Sequence, residues 1–568
     1  MAEPSSVSDP VFGLADRLVD DFAKACPVQA SMAGVPGVFD GWNDYSPEGG
    51  AQVRQVLARY RADLERLPPT ADRFGKLARR VVGDFLGEQI DYYDSGDNLL
   101  DLNNIESPVQ HMRVVFDVMD TTVEGGWEAA ATRLETIDRP LRAYRAALEE
   151  GARRGLVPAR RQVQATLAQS RIHASAESSF LALTSAYDAA GGKDAALRAR
   201  IERGCQNARA AYAGFADFLE GFHDKASPND AVGRERYARS ARAFLGVDID
   251  LEETYAWGFE EVASIESAMA EITKKLAPGS STRAFVEALQ KSPEQVVTDA
   301  DRFLTLMRER QERALSELLG THFDVPEPIR KLDVKLAPEG GALGAYYIPP
   351  SDGFRRPGTV YYAPGAEKRF TLFSEITTAY HEGFPGHHLQ CGLQVYFADR
   401  LTRLHRLFVV CSGYAEGWAL YAEQLMDELG YFDKPEYVLG MHMAKLFRAY
   451  RVAADIGMHL GLSIPKSFDY CPGETWRWEH CVDLLSQRAF VARDFAESEA
   501  TRYLGWPGQA ISYKVGERVI LDLRREMQAR LGSAFDLRRF HDAVLGTGSV
   551  GLEVLRDWVR EELAAPPG

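Results

Sequence analysis

The chain has 568 residues, 45% apolar and 26% charged, proportions of a water-soluble folded protein long enough for more than one core. A formal charge of −16 and an isoelectric point near 5.4 exclude the basic surface that a nucleic-acid partner requires. No window is apolar over the length of a membrane span. The opening M-A-E-P-S-S-V-S-D-P has no basic segment followed by an apolar one, so the expected location is the cytoplasm, without a membrane partner.

The first half of the chain reads as helices. Apolar residues recur at three- and four-residue spacing from 10 to about 67 and from 71 to 89, as in Val53, Val56, Leu57, Tyr60 and Leu64. The same pattern marks 127–150, 160–187, 193–224 and 233–245, and a long helix is predicted over 251–276. Six cysteines, at 26, 205, 391, 411, 471 and 481, show no C-x-x-C spacing and read as reduced thiols.

The pattern changes after Val325. Runs rich in β-branched and aromatic residues at 331–338, 342–350 and 358–364 are separated by Gly and Pro, and predict a small antiparallel sheet. Such a sheet either aligns an extended peptide on an edge strand, with Tyr346 and Tyr361 as candidate contacts, or simply covers the next helix. Helices are then predicted over 401–429, 434–462, 475–503, 511–531, 535–545 and 551–564. The expected division is a helical lobe over 1–325 and a catalytic lobe over 326–568, with the sheet at 326–365, metal-site helices at 370–568 and a soft boundary.

Between the sheet and the later helices lies His381-Glu382-x-x-Pro385-Gly386-His387-His388, three of the twelve histidines within eight residues. In H-E-x-x-H the two imidazoles fall one turn apart on a helix, and the Glu is placed to act on a metal-activated water. Here Pro385 occupies the position of the second His. On a straight helix His388 lies within about 20° of His381 but about 10.5 Å along the axis, and His387 is turned away by about 120°. Pro385 and Gly386 suit a bulge that swings His387 back, which makes His387 the favoured second ligand and leaves His388 to contact substrate. Further along, Glu416 and Glu423 are seven apart, on one face of an otherwise apolar helix. Glu416 is the expected third ligand, and two His with one Glu leave zinc an open position. The same set also describes a non-haem Fe(II) centre.

In the block 448–459, Arg448 and Arg451 share a face, as do Asp455 and His459. Arg451 can fork onto a substrate carboxylate and His459 can donate to a developing oxyanion; alternatively the four form an internal ionic network.

The blocks H-E-G-F-P-G-H-H-L-Q, E-G-W-A-L-Y-A-E, R-A-Y-R-V-A-A-D-I-G-M-H, P-G-Q-A-I-S-Y-K-V-G and F-D-L-R-R-F-H-D-A-V-L-G-T-G-S-V resemble the bacterial "domain of unknown function 885" family, which is regarded as a branch of the gluzincin zinc metallopeptidases. The resemblance implies a mainly helical, two-lobed zincin with a deep cleft and a small sheet before the metal helix. It implies His381, His387 and Glu416 as zinc ligands and Glu382 as general base. Tyr513 takes the oxyanion-donor role that gluzincins give to a Tyr or His. The expected activity is hydrolysis of amide bonds in short peptides or peptide-like molecules. The alternatives are a dedicated small-molecule amide hydrolase or tailoring enzyme, the iron enzyme, and a silent binding scaffold.

Overall fold

Helical periodicity, closed at its ends by local caps, accounts for most of the chain in the computed structural model, which describes residues 9–337, 344–363 and 369–564. Residues 1–8 and the predicted strand ends at 338, 342, 343 and 364 lie outside the described residues. Backbone contacts divide the chain into Met1–Asp230 with Asp399–Val409, and Ala231–Ala398 with Val410–Gly568.

In the first unit, Asp9 and Ser46 accept backbone N–H groups at the starts of the helices Pro10–Ala25 and Pro47–Arg66, satisfying donors that a helix cannot pair internally. Their apolar stripes, Val11, Leu14, Leu18 and Phe22 on one and Val53, Leu57 and Tyr60 on the other, join Val82 and Leu86 in one core. Leu404 completes that core and Phe408 packs edge-on against Phe22 with ring centroids 5.4 Å apart, which explains why 399–409 returns to this unit. A second core forms around the 28-residue helix Ala195–Phe222, where Tyr212 and Phe215 are buried.

The division falls near residue 230 and not at the expected 325. The helix Leu251–Leu276 lies along the helix Pro435–Leu460, and Tyr255 donates to the Ser463 carbonyl at 2.9 Å. Tyr450 donates to Glu266 at 2.6 Å. The partner of this helix lies some two hundred residues downstream, and spacing within a helix does not encode such a partner.

The second unit carries the strands. β1 (Val296–Val297) pairs antiparallel with β5 (Phe370–Thr371). β2 (Leu332–Leu336), β3 (Ala345–Ile348) and β4 (Gly358–Tyr362) form a sheet in the order β2-β4-β3. β3 and β4 are antiparallel, as expected, whereas β2 runs parallel to β4. Tyr361 therefore sits on the central strand, and Tyr346 sits opposite it on outer strand β3 with the rings stacked at 5.1 Å. β3 packs against the helix Leu372–Glu382, which holds the His-Glu pair, and the helix Ala300–Leu318 supports both that helix and β2.

Two helices in this unit meet without intervening side chains. A Cβ on Gly417, in the helix Ser412–Glu428, would lie 2.4 Å from the carbonyl carbon of Gly516, in the helix Ser512–Leu531. A Cβ on Gly516 would lie 1.9 Å from the Gly413 carbonyl oxygen. Backbone has nowhere to retreat, so the pair fixes the approach of the helices that carry Glu416 and Tyr513. Gly516→Ala is expected to destabilise the second unit by about 1–3 kcal/mol or more, the cost of overpacking. Chemical denaturation checks this; an unchanged midpoint would contradict it.

Candidate metal centre

The helix Leu372–Glu382 stops at Glu382 and a second helix, His387–Tyr396, starts at His387, so the expected bulge within one helix is a full break. The four intervening residues are held from three sides. Phe384 N–H donates to Gln311 Oε1 at 2.6 Å, and the Gln311 amide donates to the Ala379 carbonyl. The Trp418 indole donates to the Pro385 carbonyl at 3.0 Å. Gly386 presses onto the end of the first helix: a Cβ there would lie 2.0 Å from the His381 carbonyl oxygen. The Phe384–Pro385 peptide bond is cis.

This path folds His387 back over His381, with ring centroids 4.9 Å apart at 86°. Glu416 comes up from the neighbouring helix. Its Oε2 lies 3.4 Å from His381 Nε2 and 3.5 Å from His387 Nε2, and the ligand atoms of the three residues all lie within 4.8 Å of one another. Oε2 is buried and accepts no hydrogen bond among the described residues. Donors about 2.1 Å from one ion at tetrahedral angles stand about 3.4 Å apart, so the residues fit zinc by number, type and spacing. His387 and Glu416 keep 13% and 19% of their side-chain surface, against 3% for His381, which leaves an approach on that side. Burial opposes charge on Glu416, yet the two imidazoles hold its carboxyl well below the usual carboxylate range.

Behind His381, Glu423 Oε1 lies 2.7 Å from His381 Nδ1, and Thr377 donates to the other carboxylate oxygen. A hydrogen-bonded Nδ1 directs Nε2 forward as the ligand atom. Burial disfavours protonated His381, but the Glu416 and Glu423 carboxylates outweigh it and raise its pKa to about 9. Arg448 Nη2 stands 4.0 Å from Glu423 and completes the charge balance there. Glu382, next to His381, is half-buried and makes no hydrogen bond to a described residue; burial raises its pKa, partly offset by His381 and His387. Tyr513 lies parallel to His381, with ring centroids 6.5 Å apart, and its hydroxyl has no hydrogen-bond partner among the described residues.

The family described as "Bacterial protein of unknown function (DUF885)" matches residues 27–559. The chain belongs to this family. No curated protein matches the chain. A solved structure from Colwellia psychrerythraea, described as "the putative lipoprotein", aligns with TM-score 0.87 and 24% identity over 98% of this chain and 99% of its own. Another from Shewanella oneidensis, described as "a putative lipoprotein of unknown function", aligns with TM-score 0.72 and 18% identity over 96% and 98%. At these identities the likeness carries the fold, which this member of the family shares along nearly its whole length.

Several residues expected at the site are engaged elsewhere. His388 points away from the cluster: its Nδ1 lies 3.0 Å from the Tyr347 hydroxyl and its Nε2 2.6 Å from the Ile329 carbonyl. It is a packing residue of the sheet side, and burial lowers its pKa to about 4. His459 is likewise occupied, accepting from Val232 N–H at 3.3 Å and donating to the Tyr503 carbonyl at 3.0 Å, so no ring nitrogen remains for an oxyanion. Asp455, whose pKa burial raises to about 7, accepts from Tyr237 at 2.8 Å and from Gly508 N–H at 3.0 Å. Arg451 pairs with Glu499 at 2.8 Å, donates from Nε to the Tyr503 hydroxyl at 3.0 Å and stacks on Tyr513 at 4.5 Å. It therefore braces the Tyr513 ring, held by partners outside the block 448–459 and not by the expected network among Arg448, Arg451, Asp455 and His459. Cys391 is not among the residues whose ligand atoms converge at the cluster, and burial pushes its thiol up to about 12.

Glu423 shares the face of Glu416 in sequence, but its bond to His381 depended on how the helices cross. Gln311 and Thr377 carried no sequence signal, since an amide or hydroxyl acquires such a role only from its neighbours.

Ligand identity is open to a paired comparison. His387→Ala is expected to abolish metal retention through dialysis, whereas His388→Ala retains most of it and loses stability instead. Metal content per chain measures both; the reverse ranking would contradict the assignment of His387.

Proposed function

We propose that the chain is a zinc-dependent hydrolase that cleaves amide bonds in short peptides or peptide-like molecules. The observation that carries this reading is the Glu416 oxygen: a buried carboxylate oxygen faced by two imidazole nitrogens and, among the described residues, by no other donor is the arrangement a divalent cation satisfies. The sequence resemblance to gluzincins supports the same conclusion. His381, His387 and Glu416 would hold the ion, and Glu423 would fix the tautomer of His381. When bound, zinc supplies a Lewis acid that polarises the scissile carbonyl and favours ionisation of water.

The remaining work falls to side chains of the chain itself. Glu382 has no competing partner among the described residues and its proton affinity is raised by burial, properties a general base needs near neutral pH. It takes the proton from the attacking water and returns it to the departing nitrogen, so that one carboxylate serves as base and then acid. The Tyr513 hydroxyl has no hydrogen-bond partner among the described residues, its ring stacks on that of His381, and Arg448 and Arg451 hold the ring at 5.7 Å and 4.5 Å. It donates to the oxygen that becomes negative as the carbonyl turns tetrahedral. A half-buried site of this kind admits an extended chain and excludes a folded surface, whose backbone is already committed to internal hydrogen bonds.

Glu382→Gln tests the mechanism without removing a ligand. The variant is expected to keep its metal and its melting temperature and to lose about 10² to 10⁴-fold in turnover of any peptide substrate. Turnover within a factor of about two of wild type would overturn the assigned base.

A further inference from the structure

The packing beside Tyr513 leaves a surplus of buried positive charge. Arg451 and Arg502 share one carboxylate: Arg451 Nη2 donates to Glu499 Oε2 at 2.8 Å and Arg502 Nη1 donates to Glu499 Oε1 at 3.0 Å. The Tyr503 hydroxyl also donates to Oε2, at 2.9 Å, so both oxygens of Glu499 are occupied. Arg502 gives its other terminal nitrogen to the neutral Gln509 amide at 2.6 Å. Neither guanidinium has a second ion pair among the described residues. Asp455, one turn along the helix from Arg451, faces Tyr237, Gly508 and His459 instead. Two positive charges therefore stand against one negative charge.

Two donors mark where the surplus is felt. Arg451 Nη1 and Arg502 Nε are both buried and both lack a hydrogen-bond partner among the described residues. The two side chains keep only 6% and 12% of their surface, so bulk water screens them little. Arg451 is held in place, because its guanidinium stacks on the rings of Phe447 and Tyr513 at 4.2 and 4.5 Å while Nε and Nη2 are engaged by Tyr503 and Glu499. A buried charge without its counter-charge is costly, and an orphaned buried donor calls for a bound water or ion. Water satisfies the N–H and leaves the charge; an anion satisfies both.

We propose that one small monovalent anion, of the size of chloride, binds at Arg451 Nη1 and balances the surplus charge of Arg451 and Arg502. Arg451 is 5% exposed, which admits a free ion and excludes a bulky carboxylate. The ion completes the Arg451, Glu499 and Arg502 group, and through Arg451 it steadies the ring of Tyr513. This goes beyond the hydrolase reading, and its test requires neither zinc nor substrate.

Bromide substitutes for chloride and is visible by anomalous diffraction. Crystals of the full chain grown in sodium gluconate and soaked in sodium bromide are expected to show a difference peak within hydrogen-bond reach of Arg451 Nη1. In solution, exchanging sodium gluconate for sodium chloride at equal ionic strength is expected to raise the melting temperature by about 2 °C or more, the scale of a ligand at about ten times its dissociation constant. Arg502→Gln removes the surplus charge and is expected to lose both the peak and the difference between the two salts, whereas Arg502→Lys keeps the charge and retains the difference. Absence of the peak from wild type, equal melting in the two salts, or a peak and a shift that survive Arg502→Gln would each overturn the site.

Discussion

The metal-residue cluster depends on the four residues between two helices. A continuous helix through 381–388 would carry His387 away from His381, and no rotation of either side chain would bring both nitrogens to one carboxylate oxygen. The break succeeds because Gly386 can lie against the His381 carbonyl where any Cβ would collide, and because Gln311 and Trp418 satisfy the polar groups that the interrupted helix leaves open. One consequence is that Trp418 and Glu416, two residues apart on the neighbouring helix, act together: one holds the break and the other meets the histidines it brings in. A second is that the first helix ends at Glu382, next to His381, with its carboxylate half-buried and without a hydrogen-bond partner among the described residues.

The surrounding helices hold that arrangement through contacts of two kinds. Behind His381 they are polar, with Glu423 shared among His381, Thr377 and Arg448. Around Tyr513 they are aromatic and cationic, with Arg451 locked by Glu499 and Tyr503 before it reaches the ring. Buried ion pairs of this sort cost much of what they return, and they are best explained by the orientation they impose. The backbone contact between Gly417 and Gly516 sets the distance over which these contacts operate.

The sequence disclosed those parts of the site that depend on local spacing. A His-Glu pair on an apolar helix, a Pro-Gly interruption and two glutamates seven apart can be read within a few turns of chain, and they identify the residues that cluster at the centre. The chain's helical character was legible for the same reason, because a stripe at three and four belongs to one helix alone. Features set by tertiary crossing were not legible. His459 and Arg451 have the chemistry of catalytic groups, and only the packing of the helices Arg493–Gly505 and Pro435–Leu460 shows that Tyr503 and Glu499 already claim them. His388 differs from His387 by one position, and its contacts with Tyr347 and Ile329 come from residues up to 59 positions upstream. The parallel course of β2 and the grouping of 231–325 with the second unit depend equally on long-range pairing that periodicity does not record.

The central claim is that the helix break assembles a zinc site from His381, His387 and Glu416. The direct measurement is anomalous X-ray diffraction from zinc-loaded crystals of the full chain, collected above and below the zinc absorption edge. The account predicts one strong difference peak within bonding reach of both imidazole Nε2 atoms and the Glu416 carboxylate. A peak held by His388 in place of His387, or no peak at this cluster in a fully zinc-replete crystal, would contradict it.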